Sequence, residues 1–388
     1  MPNSDVEGSI MKRMSWILLL ALAGLAILPQ TSLAGQFKPP VYYSAPGLPW
    51  AVVKADFNHD GNLDLAVADF GNEIVQTLLG RGDGIFRKGP SFSISPYSPV
   101  GLAVGDFNGD GVLDLAVVEY NGPADGRLGI FLGKGDGTFH EFAEYNLGYE
   151  PTSAAVADFN GDGHLDVAVT NEGVNGKGSV MVFFGNGNGT FKPPTIYNLA
   201  AYPDSVAAGD LNGDGLPDLA VAEDEAGVAI LLNEGKGKFG KAVVYPVYPA
   251  NLTDVVIADL NHDGIPDLVV ATFQAVGVLL GKGGGKFGKA AIYSTASITK
   301  ESNPYAVVVA DFNLDGKPDI ATVLFQGNSG LFSGKGDGTF GPVVPIHLGG
   351  NGSGGTGIAA GYFNKGDAPD LAIVDSHKSA IAVLLNTQ

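Results

Sequence analysis

Cysteine is absent from the 388 residues. That excludes disulfides, thiolate metal sites, a cysteine nucleophile and a lipid anchor on cysteine. Positive charge is scarce as well, with 22 Lys and Arg against 41 Asp and Glu and a formal charge of −19. Nucleic acid and anionic membrane surfaces are held by basic patches, so neither is expected as a partner. Long apolar runs are also rare. Trp16 to Leu28 is one, thirteen residues, where a membrane span takes roughly 20. Lys12 and Arg13 precede it, and Ser32-Leu33-Ala34 follows with small residues where a signal peptidase reads. Residues 1–34 are therefore read as an export signal cleaved after Ala34, with Met11 as an alternative start. Residues 35–388 are read as a single domain that is secreted, periplasmic or on the cell surface, with no membrane attachment after cleavage.

What the chain has in abundance is glycine (58 residues) and one recurring phrase. DFNHDGNLDLAV begins at Asp56, DFNGDGVLDLAV at Asp106 and DFNGDGHLDVAV at Asp158. DLNGDGLPDLAV begins at Asp210, DLNHDGIPDLVV at Asp259 and DFNLDGKPDIAT at Asp311. A worn seventh copy, YFNKGDAPDLAI, starts at Tyr362. The starts lie 50, 52, 52, 49, 52 and 51 residues apart. A fixed period in this range means an array of similar units, and units this small must share one assembly to bury a core.

Each unit reads as four short strands. In the third, Thr152 to Phe159 is a strand of small apolar residues, followed by the NGDG turn and a second strand, Leu165 to Thr170. Gly173 to Gly178 form a loop, Ser179 to Phe184 a third strand, and Phe191 opens a fourth running to Tyr197. Four antiparallel strands in each of seven units predict an all-β, seven-bladed propeller. A stacked β-solenoid is the alternative, and the ends of the chain decide against it. Six units open the fourth strand with Gly-x-Phe, as at Gly84-Ile85-Phe86 and Gly189-Thr190-Phe191, but the seventh stops after its third strand at Leu384-Leu385-Asn386. Gly35-Gln36-Phe37 supplies the missing phrase at the other end. The N-terminal strand is thus expected to complete the last blade and close the ring.

Within the repeated phrase, positions 1, 5 and 9 are Asp in all six intact copies, position 3 is Asn and position 6 is Gly. Alternating oxygens at 1, 3 and 5 converge when the chain turns tightly, and the Gly permits the turn. Position 7 varies freely, as a site contributing only its backbone carbonyl would. Oxygen donors with no His or Cys favour Ca²⁺. An EF-hand needs a bidentate Glu at position 12 and flanking helices; Val67, Val117, Val169, Val221, Val270 and Thr322 stand there, within strand pattern. Dockerin-like modules fail on the same position, and the glycine-rich nonapeptide of secreted toxins does not match. Six divalent cations would reduce the charge from −19 to −7 (−19 + 12).

Asp-x-Asn-x-Asp-Gly-x-x-Asp followed by an apolar strand resembles the FG-GAP/VCBS repeat, the blade unit of integrin α-subunit propellers and of many secreted bacterial proteins. The resemblance covers residues 35–388. It implies calcium ligands at Asp56, Asn58, Asp60, Asn62 and Asp64 in the first blade, position 7 acting through its carbonyl. The matching sets are Asp106, Asn108, Asp110, Val112 and Asp114; Asp158, Asn160, Asp162, His164 and Asp166; and Asp210, Asn212, Asp214, Leu216 and Asp218. The last two are Asp259, Asn261, Asp263, Ile265 and Asp267, and Asp311, Asn313, Asp315, Lys317 and Asp319. The seventh copy has Tyr362 at position 1 and Gly366 at position 5, keeping only Asn364 and Asp370, so no calcium is expected there.

The loops on the other face carry Trp50, Tyr97, Tyr149, Tyr202, Tyr248 and Tyr305 ahead of the inner strands. Asp69, Glu119, Asn171 and Glu223 follow the second strands. Rings beside carboxylates and amides suit a glycan- or protein-binding rim, although such rings also pack loops. Arg81-Gly82-Asp83 occupies the turn where Lys134-Gly135-Asp136 and Lys335-Gly336-Asp337 stand, so it reads as a repeat variant. The six His are scattered and no Ser/His/Asp arrangement follows from spacing. The expected function is a non-catalytic, calcium-stabilised, adhesion-type binding propeller. The alternative is a polysaccharide lyase or hydrolase with its site at the central channel, for which Asp69, Glu119 and Glu223 are the candidate residues.

Overall fold

The computed structural model describes residues 36–174, 177–298, 303–326, 328–349 and 354–388. The expected signal segment lies outside the described residues. Seven four-stranded antiparallel sheets follow one another along the chain. The first blade shows the pattern: an inner strand Pro49–Ala55, a second strand Asp64–Asp69, a third Ile74–Gly80 and an outer strand Phe86–Ser93. The next five blades occupy 98–148, 151–198, 203–245, 254–294 and 304–346. The seventh is built from Gly355–Gly361, Asp370–Asp375 and Ala380–Leu384, with Val41–Ser44 as its outer strand.

The strands divide by environment, and their composition follows. Second strands such as Asp64–Asp69 and Asp218–Glu223 are buried along their whole length, which their unbroken apolar runs allow. Inner strands are rich in Ala, Val and Gly (Pro304–Ala310 reads PYAVVVA), small enough for seven of them to meet around one axis. Outer strands face solvent and alternate, as VYYS and TIYN do. In the third blade the second strand runs to Val174 and the third begins at Lys177, so the loop is shorter than expected from its glycines.

Ring closure is as expected. Val41 pairs with Val383 and Ser44 with Ala380, and Phe37 bridges Asn386. A repeated aromatic contact explains why Gly-x-Phe recurs. The ring at loop position 2 of one blade packs edge-on against the Gly-x-Phe ring of the next: Phe57 on Phe139, Phe107 on Phe191 and Phe159 on Phe239, with centroids 5.4, 5.7 and 5.6 Å apart. The same contact crosses the seam between chain ends, Phe312 on Phe37 and Phe363 on Phe86, at 5.9 and 5.4 Å. A tyrosine of the preceding outer strand adds a bond, as when the Phe191 N–H donates to the Tyr145 hydroxyl and the Phe86 N–H to that of Tyr43. The N-terminal strand thus makes the contacts that any internal outer strand makes.

Candidate functional site: the aspartate loops and the opposite face

The aspartate loops join inner to second strands and share one face, here the lower face. In the second blade the Asp106 carboxylate accepts from the N–H groups of Gly109, Asp110 and Gly111 at 2.7, 3.2 and 2.8 Å. Asn108 Oδ1 accepts from the Asp110 N–H, and Asp110 Oδ1 from the Val112 N–H, at 2.9 and 2.8 Å. Positions 1, 3 and 5 therefore wrap the same short turn, each held by a backbone N–H further along. The first, fourth, fifth and sixth blades keep these three features. Gly at position 6 has φ of +84° at Gly111 and +86° at Gly163, a region costly for other residues. Position 4 also turns left-handed, which sequence reasoning missed. It is Gly in three copies, but His59, His262 and Leu314 hold φ of 57°, 59° and 59°.

Position 9 turns away from this wrap. Asp114 is fully buried and accepts the Phe107 N–H on one oxygen and the Gly133 N–H on the other, both at 2.9 Å. All seven blades repeat this bridge, from Asp64 (Phe57, Gly80) and Asp166 (Phe159, Gly185) to Asp370 (Phe363, Asn386). It pins the start of the loop to the end of the third strand. The seventh copy keeps Asp370 although it has lost positions 1 and 5, so this carboxylate has a role that needs no cation. Burial pushes Asp114 up to about 6, and the nearby Asp110 and Asp106 carboxylates add to the rise. Among the described residues no three acidic or histidine side chains already converge as a cage. The donor chemistry does fit a hard cation. In each intact loop two carboxylates, an amide oxygen and a carbonyl line one turn, and the position-9 carboxylate lies near enough to feel their charge, like charge that would benefit from a positive ion.

Arg81-Gly82-Asp83 forms the repeat's ordinary turn on this face. The Arg81 N–H donates to the Ile85 carbonyl at 3.0 Å, as Lys134 does to Thr138 and Lys335 to Thr339.

On the opposite, upper face the structure sorts the expected residues into three groups. Trp50 and Tyr305 meet at 5.6 Å although they belong to blades 1 and 6. The intervening seventh blade allows this with Gly355-Thr356-Gly357; a Cβ on Gly357 would lie 3.2 Å from the Trp50 carbonyl oxygen. Phe70 and Tyr120 continue the series on one side, at 6.1 and 6.5 Å, and Phe325 and His377 on the other, at 6.1 and 5.8 Å. An arc of rings thus spans four blades beside the channel mouth. Phe70, Tyr120, Phe325 and His377 were not singled out in the sequence, where only ring positions shared by several repeats gave a signal. Tyr149 and Tyr248 stand apart, 47% and 71% exposed. Tyr97 is buried and donates to the Asp125 carboxylate at 3.1 Å.

The carboxylates form a second group. Asp69 accepts from the Gly47 and Leu48 N–H groups at 3.0 and 2.9 Å, and Glu223 from the Ala200 N–H at 3.0 Å. Both hold the loop that leads into their own blade, a structural task that leaves little for catalysis. Glu119 and Asn171 form the third group. They are buried, and among the described residues neither is held by a loop in this way.

A family model described as an FG-GAP-like repeat matches residues 56–117, 118–169, 158–221, 210–270, 259–322 and 311–373. The chain belongs to the FG-GAP-like repeat family. Solved structures similar to this FG-GAP propeller include an Agrocybe aegerita lectin described for specific recognition of non-reducing terminal N-acetylglucosamine. It has 19% identity, 84% of this chain and 86% of that one covered, and a TM-score of 0.53. Two structures of BBS1N in complex with ARL6DN, one soaked with mercury and one with lead, match at 13% identity with TM-scores of 0.60 and 0.62. They cover 90% of this chain and 98% and 97% of theirs. At these identities the likeness is one of fold. No curated protein matches the FG-GAP propeller.

Proposed function

We propose that the protein is an exported binding propeller. In this reading six lower loops hold Ca²⁺ in a structural role, and the upper face takes a protein or glycan ligand. The observation that carries the binding reading is the arc Tyr120, Phe70, Trp50, Tyr305, Phe325 and His377. Trp50, Phe70 and Tyr305 are half-buried and His377 is exposed, while the buried Tyr120 and Phe325 back them, a rigid, amphipathic contact surface of the kind that binds sugar faces and partner side chains. The same architecture serves a sugar-recognising lectin and a protein-binding domain among the similar structures. For calcium, the support is the oxygen-only donor set and its repetition in six loops. Extracellular modules tolerate weak sites because ambient calcium is high, with Kd of about 10⁻⁴–10⁻³ M.

The test is a glycan-array and protein pull-down screen in calcium, run beside a polysaccharide-degradation assay. The binding reading expects a ligand retained by the wild type, lost in Trp50→Ala and Tyr305→Ala, with thermal midpoints kept. Released product without measurable partner binding would favour the enzyme instead.

A further inference from the structure

Glu119 differs from the other carboxylates that stand at its register. The carboxylates at the same register, Asp69, Glu223 and Asp375, each accept backbone N–H groups from the loop entering their blade. In the second blade that loop passes through Pro96, which has no N–H, and the Tyr97 N–H donates to the Ile94 carbonyl. Glu119 is left 3% exposed and, among the described residues, its carboxylate takes part in neither a hydrogen bond nor an ion pair. It lines a cleft of about 80 Å³ between the first and second blades. Gly129 behind it leaves room for the carboxyl group: a Cβ there would come within 2.2 Å of Glu119 Oε1. Glu141 and Glu144, from the outer strand Phe139–Gly148, complete the acidic wall, while Ile94, Pro96 and Phe131 are apolar.

The cleft holds one cation, and it is already engaged. Arg127 donates to Glu144 at 2.6 Å and lies 4.1 Å over the Tyr97 ring, whose hydroxyl is turned to Asp125. Arg127 attracts Glu119 and Glu141 without forming an ion pair with either, and Glu141 shares a side-chain hydrogen bond with Glu144. The acids do not converge closely enough to cage a bare metal ion. What suits the space is a compact donor of several hydrogen bonds on a short apolar stem.

We propose that this cleft, separate from the aromatic arc, is a recognition site for a primary ammonium group, its N–H donors taken by Glu119 and Glu141 and its stem lying against Ile94, Pro96 and Phe131. A lysine side chain of a partner and a free diamine share this chemistry. Burial, with Glu144 and Glu141 adding and Arg127 opposing, raises Glu119 to about 8. An arriving ammonium must therefore displace a proton at neutral pH. The amine stays charged up to about pH 10, so affinity should follow the ionisation of Glu119, rising about a hundredfold from pH 6 to pH 9.

The test is calorimetric titration of the full chain with Nα-acetyl-lysine methylamide and with cadaverine, using Nα-acetyl-norleucine methylamide as the uncharged control. The expected result is saturable one-to-one binding of the ammonium probes alone, strengthening with pH as stated. Glu119→Gln, near-isosteric with the protonated acid, should abolish both binding and pH dependence with the thermal midpoint kept. Glu141→Gln, at an exposed position, should weaken binding several-fold. Preference for the lysine probe would assign a protein partner, and preference for cadaverine a free amine. The proposal is overturned by no saturable binding at tens of millimolar, by equal binding of norleucine, or by an unchanged pH profile in Glu119→Gln.

Discussion

Replacing Asp370 by Ala isolates the position-9 bridge from any metal, because its loop lacks acids at positions 1 and 5. Asp370 accepts the Phe363 and Asn364 N–H groups at 3.0 and 3.2 Å on one oxygen, and the Asn386 N–H at 2.7 Å on the other. The Phe363 and Asn386 bonds are buried. Removing the carboxylate leaves those donors unsatisfied at about 1–3 kcal/mol each. The half-exposed Asn364 N–H adds less, since water can reach it. The expected loss is about 4 kcal/mol in equilibrium urea unfolding followed by Trp50 fluorescence. Asp370→Asn keeps one acceptor and should lose about half as much. Both losses should be the same in calcium and in chelator. A loss below about 1 kcal/mol, or one that appears only in calcium, would refute the bridge as a metal-independent clamp.

Two further outcomes follow from the same geometry. Leu314→Gly relieves a left-handed residue at φ 59° in an exposed loop, and should raise stability by about 0.5–1 kcal/mol in the same assay. Asp254 joins three blades by accepting from Ser205 Oγ, the Val255 N–H and the Val307 N–H, and burial lifts it to about 6. A carboxyl raised in the folded state favours folding while protonated. The stability difference between wild type and Asp254→Asn should thus fall by about 1–3 kcal/mol as pH rises from about 4 to about 7, and be flat above that; a flat difference from pH 4 would contradict it.

The architecture was legible because its cause repeats. A fifty-residue period, Gly-x-Phe in six units and its displaced seventh copy at Phe37 imply blades and a seam, and the contact between Phe37 and Phe312 realises them. The aspartates were legible as a set but not by individual role. Positions 1, 5 and 9 look alike in sequence, while the fold turns Asp106 and Asp110 into the loop and sends Asp114 to the third strand. The upper face was harder to read. Trp50 meets Tyr305 across the seventh blade, which comes close to the Trp50 backbone at Gly357, a fact about three blades that no single repeat carries. Glu119 differs from Asp69 and Glu223 through a proline in a loop more than twenty residues before it.

The proposed division between a metal-clamped face and a binding face turns on the six lower loops. The most direct measurement is calcium stoichiometry by equilibrium dialysis with elemental analysis, on wild type and Asp110→Ala, with thermal midpoints taken alongside. The account predicts about six ions per chain, one fewer in Asp110→Ala, and a midpoint that falls on chelation. Fewer than one ion per chain at millimolar calcium, with an unchanged midpoint, would contradict it.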